Sequence, residues 1–289
     1  MDRSYHTQVT KRRFVVALAL AAAAATPVRL PAAGPTTDEV LARAGIYVND
    51  YFKRFSSVVA EERFVQEAAP LLVRGVPPRL PVRRELVSDY LLVKIPEDGY
   101  WHAFRDVLAV DDHPVRSPSD RLTRLFVQPS AEAVTKARQI DREGARYNLG
   151  DPVRTLNNPL LALGFLQPRY QQRFRFSLRR LDPEVGQDVW IVEYREEARP
   201  TLLRRVPDGD LPARGRFWIH APTGAILQTE LALSNTDTIT TKFRSDQQLD
   251  LPVPLEMRES YWYKNLHVVG AARYGRFRQF TVQTEERIK

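Results

Sequence analysis

The residue pattern predicts an α+β protein built around a large antiparallel sheet, and three stretches carry that reading. The first is 214–233, where Phe217 and Ile219 alternate with Arg216, Trp218 and His220. After a turn, Ala225, Leu227, Thr229, Leu231 and Leu233 alternate with Gln228 and Glu230. Period-2 alternation on both sides of Ala221-Pro222-Thr223-Gly224 is a β-hairpin: Pro presets φ for the turn, and Gly takes the positive φ needed to re-enter the ladder. The second is the chain after Arg169, a series of alternating segments linked by short turns, which is an antiparallel meander. The third is helical periodicity, confined to 36–57 and 119–166.

In chain order, Thr36 stands three residues before Glu39, a capping box that opens a helix. Val40, Ala44, Tyr47, Tyr51, Phe55 and Val58 then recur every three or four residues, giving one apolar, aromatic face that packs in a core or lines a cavity. A first strand follows over 58–66, and the Pro- and Gly-bearing stretch to Pro81 is a loop. Two strands, 84–95 and 101–110, flank the turn 96–99, and Asp111-Asp112-His113-Pro114 turns the chain again.

The helical section comes next. Segments 119–126 and 130–148 are charged and Ala-rich, with Ser130 as the cap of the second. Segment 158–166 (NPLLALGFL) is apolar nearly all round, which makes it either deeply buried or the wall of an apolar cavity. Strands are then expected over 172–180, 187–196, the opening hairpin, 238–244, 253–263 and 268–279, with a short strand or loop over 201–205 and a bulge at Gly275.

Composition narrows the function classes. The net charge is +8, and residues 1–33 carry +4 of it. The basic residues are seven lysines and 36 arginines, scattered among 35 acids. A nucleic-acid surface needs a basic stripe, and none is visible, so no nucleic-acid partner is expected. With no cysteine the chain holds neither disulfide nor thiolate metal site and is stabilised by burial alone. Lys11-Arg12-Arg13 followed by the apolar run Phe14 to Ala25 and small residues is a secretory signal peptide over 1–33, cleaved after Ala25 or Ala33. That run is shorter than the roughly 20 apolar residues of a membrane span. The expected mature protein is therefore a single domain over 34–289, periplasmic or secreted, with no membrane span.

No catalytic or metal motif is present. His102, His113, His220 and His267 share no short metal spacing. The Asp111-Asp112-His113 run is turn composition, and adjacent strand-end side chains point apart. Glu61 and Glu62, as neighbours on a strand, face opposite sides and cannot share a proton. No cofactor or metal is expected; the enzyme alternative is a hydrolase-type site assembled from distant residues.

The stretch Phe217-Trp218-Ile219-His220-Ala221-Pro222-Thr223-Gly224, with Leu227, Thr229-Glu230, Phe243-Arg244 and Leu251 to Glu259, resembles the closing strands of a set of uncharacterised bacterial secreted proteins. These in turn resemble the outer-membrane lipoprotein carrier superfamily in layout. The resemblance implies a strongly curved half-barrel sheet, an N-terminal helix and a helical insertion over 119–166 covering the concave face. It also implies an apolar cavity for acyl chains and an arginine whose hydrogen bonds hold the closed state, which falls on no particular arginine here. The expected function is non-catalytic binding of a lipid, lipoprotein acyl chain or other hydrophobe; the alternative is an interaction domain with a packed core and an envelope-protein partner. Residues whose apolar face is overfull are the wall candidates: Leu91, Val93, Trp101, Phe104, Leu161, Phe165, Trp190, Tyr194, Trp218 and Leu227.

Overall fold

Eleven strands form one open antiparallel sheet in the computed structural model, in the order β4-β3-β2-β1-β13-β12-β11-β10-β9-β6-β5. The structure describes residues 34–56, 58–71, 80–94, 101–117, 120–127, 130–150, 157–205 and 209–280. The signal peptide and the 96–99 turn read from the sequence lie outside them. The long strands are β1 (Val58–Pro70), β2 (Val82–Lys94), β3 (Trp101–Val110), β5 (Phe174–Leu181), β6 (Val189–Glu196), β9 (Arg214–His220), β10 (Ala225–Ala232), β11 (Thr238–Asp246), β12 (Leu251–Tyr263) and β13 (Leu266–Gln279). The two-residue β4 (His113–Pro114) extends one edge, and β7 (Arg204–Arg205) pairs with β8 (Gly209–Asp210) outside the sheet.

Two meanders are joined by the pairing of β1 with β13, which sets Phe64 opposite Ala272. At Gly275 the register slips, between the pairs Val59↔Arg278 and Glu61↔Gly275, and Arg276 there takes φ 45°. This is the bulge expected from a glycine inside a strand.

Helix α1 (Thr37–Phe55) starts on the capping box: the Glu39 amide donates to Thr36 Oγ1 at 3.3 Å, and the Thr36 amide donates to Glu39 Oε2 at 3.0 Å. Asp38 and Glu39 in its first turn and Lys53 and Arg54 in its last complement the helix dipole. Val40, Ala44, Val48, Tyr51, Phe52 and Phe55 are buried against the sheet, while Ile46 on the far side is 71% exposed.

Strand alternation then divides the core. Tyr90 and Leu92 of β2 belong to the main cluster beneath α1, whereas Leu91 and Val93 belong to a second cluster with Val59 and Phe104. Neighbours on a strand point to opposite faces, so these clusters lie on opposite sides of the sheet. The helical section is divided in the same way. Helices α2 (Arg121–Phe126) and α3 (Ala131–Ala145) pack Leu122, Phe126, Ala133, Val134, Ala137 and Ile140 into the second cluster. The 3-10 turn Ala162–Leu166 and the short helix α4 (Pro168–Gln171) lie on the face of α1, the inner face. The Ser130 hydroxyl caps α3 as expected, accepting from the Ala133 amide at 3.1 Å.

Helix α3 also closes a sheet edge. The outward amide of Arg105 on β3 donates to Asp141 Oδ1 at 3.1 Å, and β4 reaches only Ala109 and Val110. A helix laid along the unpaired backbone of an edge strand removes a template for aggregation.

The sheet is strongly bent. From β3 to β5 is nine strand steps, about 43 Å if flat at roughly 4.8 Å per step. Yet Phe165 lies 5.0 Å from the ring of Phe174 on β5 and shares a small cavity with Trp101 of β3. Only a curled sheet brings both ends to one side chain. Its outer face carries interspersed ion pairs, such as Arg216 with Glu230 at 2.5 Å and Arg276 with Glu61 at 2.9 Å. Exposed pairs of this kind contribute about 0–1 kcal/mol each.

The β9-β10 turn packs closely on α1. Gly224 has φ +74°, and a Cβ there would sit 2.4 Å from the backbone of Arg43, whose Nη1 donates to the Ala221 carbonyl at 3.0 Å. Gly224→Ala therefore meets both a strained backbone and a clash with backbone atoms. A loss of at least about 2 kcal/mol is expected, read as a lower urea midpoint at unchanged slope.

Candidate functional site

A largely apolar cavity of about 150 Å³ opens between the inner face and its cover, lined by Phe52 of α1, Leu92 and Trp101 of the sheet, Asn158, Leu160, Leu161, Gly164, Phe165, Gln167, Arg169 and Tyr170 of the cover, and Leu202 and Leu203. Three elements supply its walls. Phe52 and Trp101 stack at 5.4 Å to form one side. Leu160, Leu161, Gly164 and Phe165 form the cover, and a Cβ built on Gly164 would meet nothing within 4 Å. The excursion between β6 and β9 supplies Leu202 and Leu203. That excursion is fixed by the buried Glu196, whose Oε1 accepts from the Leu202 amide at 2.7 Å, and by Asp210, whose Oδ1 accepts from the Thr201 amide at 2.9 Å.

The cover is an apolar segment that folds back on itself without completing an α-helix. Residues 159–161 form a turn and Ala162–Leu166 one stretch of 3-10 helix, where a helix had been expected over 158–166. Gly164 inside it disfavours α-helix propagation, and the shorter 3-10 repeat turns Leu160, Leu163 and Leu166 into the core, each at most 1% exposed. Gln171 seals the junction with α1, donating through Nε2 to the Leu41 and Leu166 carbonyls at 3.1 and 2.7 Å.

A buried polar network holds the start of this cover to the sheet. Arg105 on β3 forms a fork with Glu62 on β1, Nε to Oε2 at 2.5 Å and Nη2 to Oε1 at 2.8 Å. The same guanidinium donates to Asn157, to its carbonyl at 2.5 Å and its Oδ1 at 3.2 Å. Tyr274 donates to Glu62 Oε1 at 2.7 Å, and Tyr90, under the guanidinium at 5.1 Å, donates to Asn158 Oδ1 at 2.7 Å. Glu62 is 1% exposed. Burial by itself would lower the Arg105 pKa, but the Glu62 carboxylate outweighs it and the guanidinium is held more firmly charged. Burial raises the pKa of Tyr90 and Tyr274, which therefore act as neutral donors. A void of about 20 Å³ beside Glu62, Arg105, Asp141 and Asn157 is the size of one water molecule.

Burial also raises the Asp141 carboxyl above its ordinary 3.8, with Arg105 acting in the opposite direction. Between the unfolded and folded values the native protein keeps a proton that the unfolded chain has released, so stability falls as pH rises through that window. Asp141→Asn keeps an oxygen to accept from the Arg105 amide and removes the titration. The variant is expected to show a flatter dependence of stability on pH above 3.8 than the wild type, in urea titrations at stepped pH.

Of the ten wall candidates, Trp101, Leu161 and Phe165 line the cavity. Trp190 and Tyr194 share its face but are packed: Tyr194 stacks on Phe217 at 4.5 Å and donates to the Glu230 carbonyl at 3.0 Å. Leu91, Val93 and Phe104 lie on the opposite face under α2 and α3, with Phe104 and Phe126 stacked at 5.8 Å. Trp218 and Leu227 form a third cluster with Val189 and Ile191, and Trp218 Nε1 donates to Asp182 Oδ2 at 3.0 Å. Sequence reasoning missed Phe52, Leu92, Tyr170, Leu202, Leu203 and the polar Gln167 and Arg169. Leu92 was within reach, lying between two named residues on a strand apolar on both faces.

Other chemistry is sparse. Ser260 Oγ and His267 Nε2 lie 2.8 Å apart, with Trp262 stacked on the imidazole at 5.0 Å, but on the outer face and away from the cavity. No group of three or more metal-ligating side chains occurs among the described residues, and no helix among them is long and apolar enough to cross a membrane. Asp111 and Asp112 both adopt positive φ in the β3-β4 turn, which accounts for them as turn residues.

The fold and cavity define an α+β protein with an open, bent antiparallel sheet and a helical cover over an apolar pocket. No family model matches the chain, and no curated protein does. Among solved structures it is similar to the crystal structure of a DUF1329 family protein from Desulfovibrio piger, at 10% sequence identity and a TM-score of 0.40, over 87% of this chain and 96% of that one.

Proposed function

We propose that this protein binds a hydrophobe, without catalysis, in the cavity between the inner face and the 158–170 cover. The observation that carries the reading is a largely apolar pocket of about 150 Å³, open to solvent on one side, between the inner face and its cover. A volume of this size accommodates a benzene-sized guest. About six carbons would contribute roughly 4–5 kcal/mol, which alone corresponds to a dissociation constant near millimolar. The pocket therefore suits the end of one chain. In the lipoprotein carrier an arginine holds the cover closed, and we assign that part to Arg105, which ties Asn157 to the sheet. A compartment outside the cytoplasm, expected from residues 1–33, belongs to the same proposal.

The packed remainder of the inner face, with Phe165, Phe174, Tyr194 and Phe217 in ring contact, favours a second reading: an interaction domain of the cell envelope with no ligand. Titration with octan-1-ol separates the two. Saturable binding that Gly164→Leu abolishes supports the pocket, and no saturable binding leaves the interaction domain.

A further inference from the structure

We propose that a row of three arginines on the outer face of the sheet, Arg175, Arg195 and Arg214, docks the protein on an anionic lipid surface by binding its phosphate headgroups. The inference rests on strand register and does not depend on the cavity holding a ligand. Residues directly opposite on antiparallel neighbours project from the same face. Arg175 on β5 is opposite Arg195 on β6, which is opposite Arg214 on β9. All three are exposed. At roughly 4.8 Å per strand the row is about 10 Å long. It continues through Ala232, Thr238, Ser260 and Val269 on the next four strands without a carboxylate.

Like charges set directly opposite one another are destabilising. The next row along the strands avoids them: Ser177, Glu193, Arg216 and Glu230 follow in order, with Arg216 on Glu230 at 2.5 Å and Arg179 on Glu193 at 2.6 Å. Arg63 and Arg273 are also opposed, but Glu61 and Glu85 lie against Arg63, and Glu256 is opposite Arg273. In the arginine row Glu197 is the one carboxylate in contact among the described residues, 3.0 Å from Arg175. Arg214 donates to a neutral acceptor, Asn235 Oδ1, at 2.6 Å. Arg195, in the middle, makes no hydrogen bond or ion pair among the described residues. Departures from a local rule of this kind mark places where function repays the cost. Guanidinium forks match phosphate oxygens. None of the three arginines lines either cavity, so the row has no walls to enclose a small molecule. A surface that presents many phosphates engages all three at once, at about fivefold in partition for each arginine.

The test is co-sedimentation of residues 34–289, which hold every element of the fold, with vesicles of phosphatidylcholine alone or with one third phosphatidylglycerol. Leaving out residues 1–33 removes a basic, apolar segment that would bind vesicles by itself. The wild type is expected on the anionic vesicles and not on the neutral ones. Arg195→Gln should lower the partition about fivefold, and Arg175→Gln, Arg195→Gln and Arg214→Gln together about a hundredfold. A control with the same loss of charge elsewhere on the outer face, Lys242→Gln, Arg258→Gln and Arg276→Gln, should keep most of the binding. The urea midpoint of the row variant should equal or exceed that of the wild type, because the repulsion is gone. Should the row variant unfold, Arg195→Gln decides alone. Equal partition onto both kinds of vesicle, or a control as weak as the row variant, overturns the proposal. So does displacement by inorganic phosphate at the concentration of lipid phosphate, which would make the row a site for one free anion. Tighter binding to a duplex oligonucleotide than to the vesicles would also overturn it and give the row to nucleic acid. Gly164→Leu is expected to dock like the wild type, so the docking and cavity readings fail separately.

Discussion

Glu62→Leu is expected to destabilise the protein by about 3–5 kcal/mol, because it leaves the Arg105 guanidinium buried without its carboxylate. Glu62 sits on the inner face among Phe64, Leu86 and Val107, where the adjoining space for about one water cannot stand in for a carboxylate charge. The Tyr274 hydroxyl loses its acceptor as well. The double variant Glu62→Leu with Arg105→Met should recover most of that loss, since exchanging both charges for apolar groups is often near neutral. Stability and cover should then separate. The double variant folds, but Asn157 has lost its guanidinium donor, so amides of 160–166 should exchange faster with solvent than in the wild type. Urea titration of the single and double variants, with amide exchange on the double, checks both halves. A double variant as unstable as the single one would mean that the guanidinium does more than neutralise Glu62.

Gly164→Leu is expected to abolish hydrophobe binding and leave the fold intact or slightly more stable. A Cβ at this position meets no atom within 4 Å, and the backbone there is not in the left-handed region, so a larger side chain enters open space. A four-carbon side chain then takes up the room that six ligand carbons would use. Removing a glycine from a helical turn contributes about 0.5–1 kcal/mol in favour of the native state. The pairing of lost binding with kept stability matters, because a variant that unfolds also stops binding. Gly224→Ala shows the contrast: glycine there is required by geometry, while at Gly164 it is required by nothing but the empty space beside it.

Much of the architecture was legible in the sequence. Strands buried on one side announce themselves by alternation, and the hairpin around Ala221 to Gly224, β3 and the capped α1 fall where the pattern places them. Glu61 and Glu62 were read as facing opposite sides, and they do: Glu61 pairs with Arg63 and Arg276 outside, Glu62 with Arg105 inside. The pairing of β1 with β13 was not legible, because it joins residues about 200 positions apart, from Pro70↔Leu266 to Val58↔Gln279, by a register that no local pattern specifies. The wall of the cavity was legible only in part. In the run Tyr90-Leu91-Leu92-Val93 every residue is buried, so periodicity cannot say which alternate pair faces α1. Segment 158–166 was read as either buried or a cavity wall and is both, with Leu163 and Leu166 inside the core and Leu161 and Gly164 on the wall. Arg105 gave no local signal, since an arginine on a strand reads as surface until the carboxylate 43 positions away is set beside it.

Side-by-side titration of the wild type and Gly164→Leu with octan-1-ol tests most directly whether the space under the cover receives a hydrophobe. Saturable binding at one molecule per chain, near millimolar and absent from a fully folded Gly164→Leu, is the predicted result. Equal uptake by both proteins, or none by the wild type, would contradict it.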